Sequence, residues 1–533
     1  MAKTEFPDSL SDLDKLCVGE NAIKTSDGSM YCGEHDVWAR DRAITGEDLI
    51  GIRPNMAEKA ILDLAKFQGV VHNADSGEEP GKIHTEHREI FNNKRLRLLV
   101  KLGISFASGV LWKTGWKQYT NYFSSDTTPL FIKIVSEYAR IKPSILDKKV
   151  VKKDGSIKTI RQSVIDAARY IESTVSFDGL IRIKERNTAG TQYRYWRDGP
   201  GSFRDEFSML PNIGEMMVIL DIQFLAAEAL DDAAKISGGL NFAQAYKWHD
   251  LAKKVRNAVI DNLWMEDEKY FAYGLDQDER GNLRRLNTIQ SNPGWMLNSD
   301  FFDRFSETAR QKYMTGIILR LFSDNMLTDA GIRCRSKKYM HDRNFHTYHG
   351  SWVTWPVDSY MIAKGLRRQG FPRLADQIEA RFINAVNAAK NNYEFFIVDE
   401  HGNVLLNPFK KKQKGMEILP IEMVPEKTIA WTVTATLRAN KERQIRQATK
   451  PHRRYAEPNR APWIRELEDK ILSEIDNQPI CETNRELRQI FKQEPNIFID
   501  QRAGLTRSGV DLIRKVGLKL VNQLAGRLSR EDK

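Results

Sequence analysis

Apolar residues return at three- and four-residue intervals along most of this chain. The stretch "EMMVILDIQFLAAEALDDAAKI" (215–236) carries that spacing, as do "NMAEKAILDLAKFQGV" (55–70) and "FAQAYKWHDLAKKVRNAVIDNLW" (242–264). It is the period of a helix that buries one face. Stretches at 94–116, 127–141, 160–176, 302–323, 355–369, 373–390 and 426–440 share it. With 8–24 and a weaker stretch after residue 40, they predict about a dozen helices before residue 441. Strand signals are few. "IRIKER" (181–186) and "EFFIVDEHGNVLL" (394–406) predict short hairpins.

The connections alternate in character. Some are tight, such as "GGLNF" (238–242) and "RQGFPR" (368–373). Others, at 30–42, 71–90, 177–212, 325–354 and 391–425, are long and rich in Trp, Asp, Gly and His. Loops longer than about 12–15 residues are uncommon in compact domains unless functional or disordered. Helical hairpins closed into a ring place alternate loops at one end. The pattern therefore predicts an all-α (α/α)6 toroid over residues 1–440, two concentric rings of helices with a site at one mouth. The segment 441–462 is basic, contains Pro451 and Pro458, and reads as a linker. Helical patterns at 463–477, 483–493 and 508–528 predict a small helical C-terminal extension over 463–533.

Composition narrows the class. Hydrophobic residues at 41% and charged residues at 29% fit a folded, soluble chain. No apolar run approaches the roughly 20 residues that span a bilayer, and no secretory signal pattern is visible at the N-terminus. Cys17, Cys32, Cys334 and Cys481 show no CxxC spacing, which fits a reducing cytoplasm rather than a disulfide framework. The net charge is +11, yet residues 438–533 hold 21 Lys/Arg against 14 Asp/Glu. Most of the excess thus lies in the C-terminal fifth. A nucleic-acid or protein contact is open to that tail, and the main body shows no such bias.

Several loops carry candidate site residues. "EHDVWARDRAITGEDL" (34–49) places Trp38, Arg40 and Asp41 before a helix, either as an ion pair at a helix start or as hydroxyl partners with an indole for a sugar face. "HNADSGEEPGKIHTEHRE" (72–89) gathers Glu78, Glu79, Lys82, His84, Glu86, His87 and Arg88. His84 and His87 with carboxylates offer a metal reading, but the order does not match HExxH, and a polyol-binding loop is the better fit. Asp126 precedes a helical run and reads as its N-cap. "TQYRYWRDGPGSFRDEFSML" (191–210) sets Trp196 and Asp198 before a Gly-Pro-Gly break, as a turn or as an acid beside an indole. "HTYHGSWVTWPVDSYMIAKGL" (346–366) holds His346, Tyr348, His349, Trp352, Trp355 and Asp358, a sugar platform or an aromatic core.

The ordered set WARDR (38–42), EEPGKIHTEHR (78–88), SSDTTPLF (124–131), WRDG (196–199), SNPGWML (291–297), DAGIRCRS (329–336) and YHGSWVTWP (348–356) resembles the amylo-α-1,6-glucosidase domain of glycogen debranching enzymes and its bacterial relatives. The resemblance spans roughly residues 15–440. It implies a six-hairpin inverting glycosidase that releases glucose from α-glucan branches or oligosaccharides and needs no cofactor and no metal. It implies that Asp198 is the general acid, since it matches the Trp-x-Asp motif. Limited solvation beside an indole would keep such an acid protonated. The general base would be Glu394 in "NNYEFFIVDEHGNV" (391–404), with Glu422 and Glu426 in "LPIEMVPEKTIAW" (419–431) as alternatives. An inverting pair stands about 6.5–9.5 Å apart. Arg40, Asp41 and Lys82 would hold the terminal sugar, with Glu86, Asp126 and His349 in the same contact set. Trp38, Trp196, Trp352 and Trp355 would shape the wall. Two departures bear on the substrate: Gly199 follows the acid where the family has Ser, and Ala330 stands where it has Trp. Two other readings remain. One is a glycoside phosphorylase on the same barrel, and the other is a non-catalytic glycan-binding protein with a basic interaction tail.

Overall fold

The computed structural model describes residues 9–18, 22–23, 37–89, 118–184, 195–197, 200–212, 216–237, 241–278, 280–405, 425–426, 428–448 and 461–477. The helices expected at 94–116, 483–493 and 508–528 lie outside the described residues, as do Asp198, Gly199 and Glu422.

The described chain is predominantly helical. In order its helices are α1 (Ser9–Leu16), α2 (Ala39–Leu49), α3 (Pro54–Lys66), α4 (Thr127–Ile141), α5 (Ile160–Thr174), α6 (Leu220–Ser237) and α7 (Phe242–Leu263). Then come the single turn α8 (Pro293–Met296), α9 (Glu307–Leu321), α10 (Pro356–Arg368), α11 (Pro372–Ala389), α12 (Ala430–Ala448) and α13 (Pro462–Asn477). Local chemistry sets many of the starts. Proline occupies the first turn of α3, α8, α10 and α11, where its missing N–H costs nothing. Thr159 and Gln162 form a capping box on α5, and Asn241 and Ser306 cap α7 and α9.

Packing turns this list into a ring. Among the described residues α2 packs on α4, α4 on α6, α6 on α8, α8 on α10, α10 on α12, and α12 returns to α2. Each of the first five has the following helix as a hairpin partner: α3, α5, α7, α9 and α11. The short α1 packs against α12. This is the concentric arrangement expected of an (α/α)6 toroid. Burial agrees with it. Every residue of α6 from Leu220 to Ala234 is buried, as an inner helix requires, whereas α7 buries a stripe that includes Ala245, Trp248, Ala252, Val255, Val259 and Leu263.

Four expectations are corrected. The helix read over 8–24 stops at Leu16, because Cys17–Val18 pairs with Ala22–Ile23. The helix read over 215–236 begins only at Leu220, because Met216–Ile219 pairs with Gly274–Gln277 and Ile183–Lys184. The last inner helix runs on to Ala448, eight residues into the stretch read as a linker. There Glu442 pairs with Arg438, and Arg446 pairs with Glu379 of α11. Finally, α13 packs on α9 and α11, burying Ile464, Leu467, Ile471 and Ile475 in the main core. Its buried Glu468 accepts from the Arg373 and Leu374 backbone N–H groups (2.8 and 3.3 Å), capping α11 from another helix.

The middle of the ring is charged. Lys133 of α4 donates to Glu228 of α6 and to the Asn298 carbonyl, both at 2.9 Å. Lys364 of α10 donates to Glu47 and Asp48 of α2 at 2.9 and 3.0 Å. Among the described residues, no helix is long and apolar enough to cross a membrane.

Candidate active site

Residues at the starts of the inner helices contact one another: Arg40 of α2 pairs with Asp126 before α4, Trp196 bonds Asp221 of α6 and stacks on Trp295 of α8, and Trp355 before α10 contacts Trp431 of α12. The first group is built on a small sheet. Val37–Trp38 pairs with Glu86–Glu89, which pairs with Gln118–Asn121, so Trp38 lies opposite Glu86 and Glu86 opposite Asn121. The sheet fixes the start of α2 against the start of α4. Arg40 Nε donates to Asp126 Oδ2 at 2.6 Å, and its Nη2 donates to Asp126 Oδ1 at 3.2 Å and to Ser124 Oγ at 2.7 Å. Ser124 Oγ donates to the same carboxylate at 2.7 Å. Asp126 occupies the N-cap position of α4, yet its side chain makes no capping bond. The strong local preference of Asp for that role yields here to a forked, charge-assisted contact.

Lys82 sits apart from this pair. Its Nζ lies 3.3 Å from the Gly77 carbonyl and 5.4 Å from the Tyr170 ring centroid on α5, an outer helix. Glu86 is buried and accepts from Asn121 Nδ2 at 3.4 Å. Asp41 is half-buried in the first turn of α2. His84 and His87 are packed as aromatic neighbours of Phe67. The His87 ring stacks on it at 3.7 Å, and burial lowers the His87 pKa to about 3. Among the described residues, no group of three or more His, Cys, Asp or Glu could hold a metal ion.

The second group is aromatic. Trp196 stacks on Trp295 at 4.9 Å with 7° between the planes, and its ring centroid lies 5.4 Å from that of His349, edge to face. His349 stacks in turn on Trp355 at 4.8 Å. Trp355 contacts Phe395 and Trp431, at 5.6 and 5.4 Å. Trp196 and Trp355 are buried, so they form the back wall of the site rather than an open platform. Trp38 and Trp352 are half-buried. Trp352 points its indole N–H to the Met340 carbonyl (3.0 Å), near His346. Ala330 is buried against Ala385, Val386 and Phe396 in a separate small cluster.

His349 belongs to the second group and feels the charge of Arg40 in the first. Its Nδ1 lies 3.2 Å from Ser202 Oγ, while its Nε2 has no partner among the described residues. Burial, and then the charges of Arg197, Arg40 and Arg335, hold this imidazole well below its ordinary pKa, so it is neutral.

Beneath the wall lie two carboxylates: Asp221, which sequence reasoning did not name, and Asp358, which it named within the 346–366 stretch without a role. Asp221, in the first turn of α6, accepts from Trp196 Nε1 at 3.0 Å and from Asn292 Nδ2. Burial raises its pKa to about 6 against the opposing pull of Asn292, Arg197 and Trp196. Asp358, in the first turn of α10, accepts from Trp295 Nε1 at 2.5 Å and from Ser291 Oγ, and pairs with Arg197 at 3.4 Å. The quoted SNPGWML segment contained a signal, since Ser291, Asn292 and Trp295 are donors on it. What it lacked was any indication of which acids they face.

Glu394 is half-buried beside α12. Its backbone N–H donates to the Glu426 carbonyl at 2.9 Å, and its Oε2 accepts from the Glu426 N–H at 3.2 Å. The next residue, Phe395, touches Trp355, so Glu394 is tied to the same wall that holds Trp196.

No family model matches the sequence, and no curated protein matches it. Solved structures do. One is a rhamnosidase from Klebsiella oxytoca with rhamnose bound, at 11% identity and TM-score 0.47, covering 83% of this chain and 63% of that one. Another is an uncharacterized conserved protein from Thermus thermophilus, at 12% identity and TM-score 0.49, covering 81% and 98%. A third is a GH63 mannosylglycerate hydrolase, also from Thermus thermophilus, in complex with Tris and D-glycerate, at 11% identity and TM-score 0.49, covering 81% and 98%.

Proposed function

We propose that this chain is an inverting glycoside hydrolase of the debranching type, releasing glucose from α-glucan branch stubs or oligosaccharides in the cytoplasm. One observation carries the proposal. Residues at the starts of the inner helices contact one another across long sequence gaps, Arg40 with Asp126, Trp196 with His349 and with Trp295, and Trp355 with Phe395, and this supports a shared site with a neutral histidine and an arginine–carboxylate pair. Tryptophan walls, a forked Arg–Asp pair and carboxylates are the groups a hydroxyl-rich, uncharged ring needs for orientation and for acid–base work.

In this reading Asp198, which follows Trp196–Arg197 directly, protonates the glycosidic oxygen. Glu394, linked to the same wall through Phe395 and Trp355, removes a proton from the attacking water. Inner-helix N-termini present the positive ends of their dipoles to the site, which favours an ionised base. Arg40 and Asp126 hold vicinal hydroxyls, and His349 Nε2 offers one more polar contact. Glu422 and Glu426 remain the alternatives for the base.

The test is glucose release from isomaltose, panose, maltose and a glucosyl-branched limit dextrin, with Asp198→Asn and Glu394→Gln alongside. The expected outcome is release by the wild type, with the anomer inverted, and loss of about 100-fold or more in each variant. Release that survives Glu394→Gln but not Glu422→Gln would move the base. No release from any of the four substrates would remove the debranching assignment.

A further inference from the structure

The loop at 204–210 is turned inside out. Every polar side chain from Arg204 to Ser208 bonds to the protein itself. The buried Asp205 accepts from the Phe207 and Met209 backbone N–H groups (3.0 and 2.8 Å) and from Arg284 Nη1 (3.2 Å). Glu206 accepts from the Asn287 backbone N–H and side-chain amide, both at 3.0 Å. Arg204 donates to the Ser208 carbonyl, and Ser208 Oγ donates to Asp342. Backbone bonds close the loop, from the Asp205 N–H to the Met209 carbonyl (2.9 Å) and from the Ser208 N–H to the Asp205 carbonyl (3.0 Å). Ser208 is held at φ 67°, a left-handed conformation that costs a non-glycine residue energy and persists only where the surroundings fix it. What this frame turns outward is apolar. Phe207 is 78% exposed, Met209 61% and Leu210 44%. Such side chains are usually buried, and an exposed cluster of them marks a surface that meets something.

Continuity with the candidate site says what that is. At its near end the loop joins the aromatic wall, where Ser202 Oγ lies 3.2 Å from His349 Nδ1 and the Phe203 ring meets Tyr195 edge to face at 5.4 Å. At its tip Ser208 is held by Asp342, two residues from Met340, whose carbonyl accepts from the half-buried Trp352 (3.0 Å). Five residues of chain span at most about 17 Å, so Phe207 stands within reach of a chain of several sugars that starts at the wall. We propose that Phe207, Met209 and Leu210 form an outer subsite, which packs against the apolar faces of sugar rings distant from the bond that is cut. An enzyme that releases one terminal glucose leaves all other sugars on the leaving group, so this subsite selects branched dextrins over short oligosaccharides. The proposal rests on the glycosidase reading given above.

The test compares wild type, Phe207→Ser, Met209→Ser and, as a control, Tyr246→Ser, which removes an exposed ring on α7. KM and kcat are read on the glucosyl-branched limit dextrin and on panose, with Tm alongside. All three side chains lie on the surface, so the variants should fold with Tm nearly unchanged. Phe207→Ser should raise KM on the dextrin about 10-fold with kcat unchanged, and Met209→Ser should raise it less. KM on panose should stay as it is, and Tyr246→Ser should alter neither. A dextrin KM unchanged in Phe207→Ser, or a KM raised equally on both substrates, overturns the subsite. So does a wild-type dimer, seen by sedimentation, that Phe207→Ser dissociates, because a second copy would then cover the loop. A second arm needs no turnover. In native gels cast with the limit dextrin, the wild type should migrate more slowly than Phe207→Ser, and without dextrin the two should match. Equal migration in the dextrin gel overturns the subsite. Selective retardation of the wild type, in a protein that cleaves no glycoside, supports the subsite and removes only the hydrolase reading.

Discussion

Arg40 reaches Asp126 through two nitrogens, at 2.6 and 3.2 Å, while a third bond runs to Ser124. A planar guanidinium makes that fork and an ammonium does not. Arg40→Lys should therefore keep the charge and lose the geometry, lowering kcat/KM by about 10-fold with little change in Tm. Arg40→Ala leaves a buried carboxylate without its cation and should cost about 3–5 kcal/mol in denaturant unfolding. Part of this was legible in the sequence, since Arg40, Asp126, Trp196, His349 and Trp355 were all singled out. What each touches was not. Asp126 looked like a helix cap because short-range statistics describe only neighbours in sequence, and the partner that wins is 86 positions away. Asp221 went unnamed, and Asp358 was named without a role, for a related reason. An acid in the first turn of a helix is ordinary by local rules, and only the fold shows that these two are sealed under tryptophans.

At the scale of elements, the inner helices meet through small residues. A Cβ added at Gly365 of α10 would stand 2.6 Å from the Asn298 backbone N and 2.7 Å from Leu297 Cβ. Backbone cannot step aside as a side chain can. Gly365→Ala should therefore destabilise by about 1–3 kcal/mol despite the better helix propensity of alanine, measurable as a fall in denaturation midpoint with an unchanged m-value. Glu468→Ala removes the carboxylate that caps α11 and should cost about 1 kcal/mol. It should also loosen α13, visible as faster amide exchange over 462–477. Helix existence was legible here because a 3.6-residue period is a property of the chain itself. Ends were less so. Met216–Ile219 continues an apolar run that fits a helix, but two strands from other parts of the chain claim its backbone. In the same way α12 outruns its apolar pattern because Arg446 finds Glu379 on α11.

At the scale of the molecule, buried titratable groups pull stability in opposite directions. Burial, opposed by Lys364, raises Asp48 to about 6, and burial raises Glu228 to about 7 and Asp221 to about 6. Each folded pKa lies above its unfolded value near 4, so the folded state binds more protons in between, and this contribution is lost as pH rises from about 4 to 7. His84, His87 and His349 are held below their ordinary values, first by burial. The unfolded chain then binds more protons below about pH 6.5, and their contribution is lost as pH falls. The two sets oppose each other, so their slopes offset in part between about pH 4.5 and 6.5. Asp48→Asn should expose the histidine slope, with stability rising with pH, and His84→Phe should expose the carboxyl slope. Denaturant melts at three pH values would decide it, and parallel slopes in the two variants would contradict this assignment of the groups. The sequence by itself determined that the chain is helical and that it alternates tight turns with long polar–aromatic loops, because periodicity and turn chemistry are local. It also marked the loops that are rich in Trp, Asp and His. The alternation also predicted the ring, and only the tertiary structure decided which acids are buried at its inner-helix starts and which residues they hold. Burial and partner choice depend on contacts between residues 25 to 161 positions apart, and no local pattern encodes them.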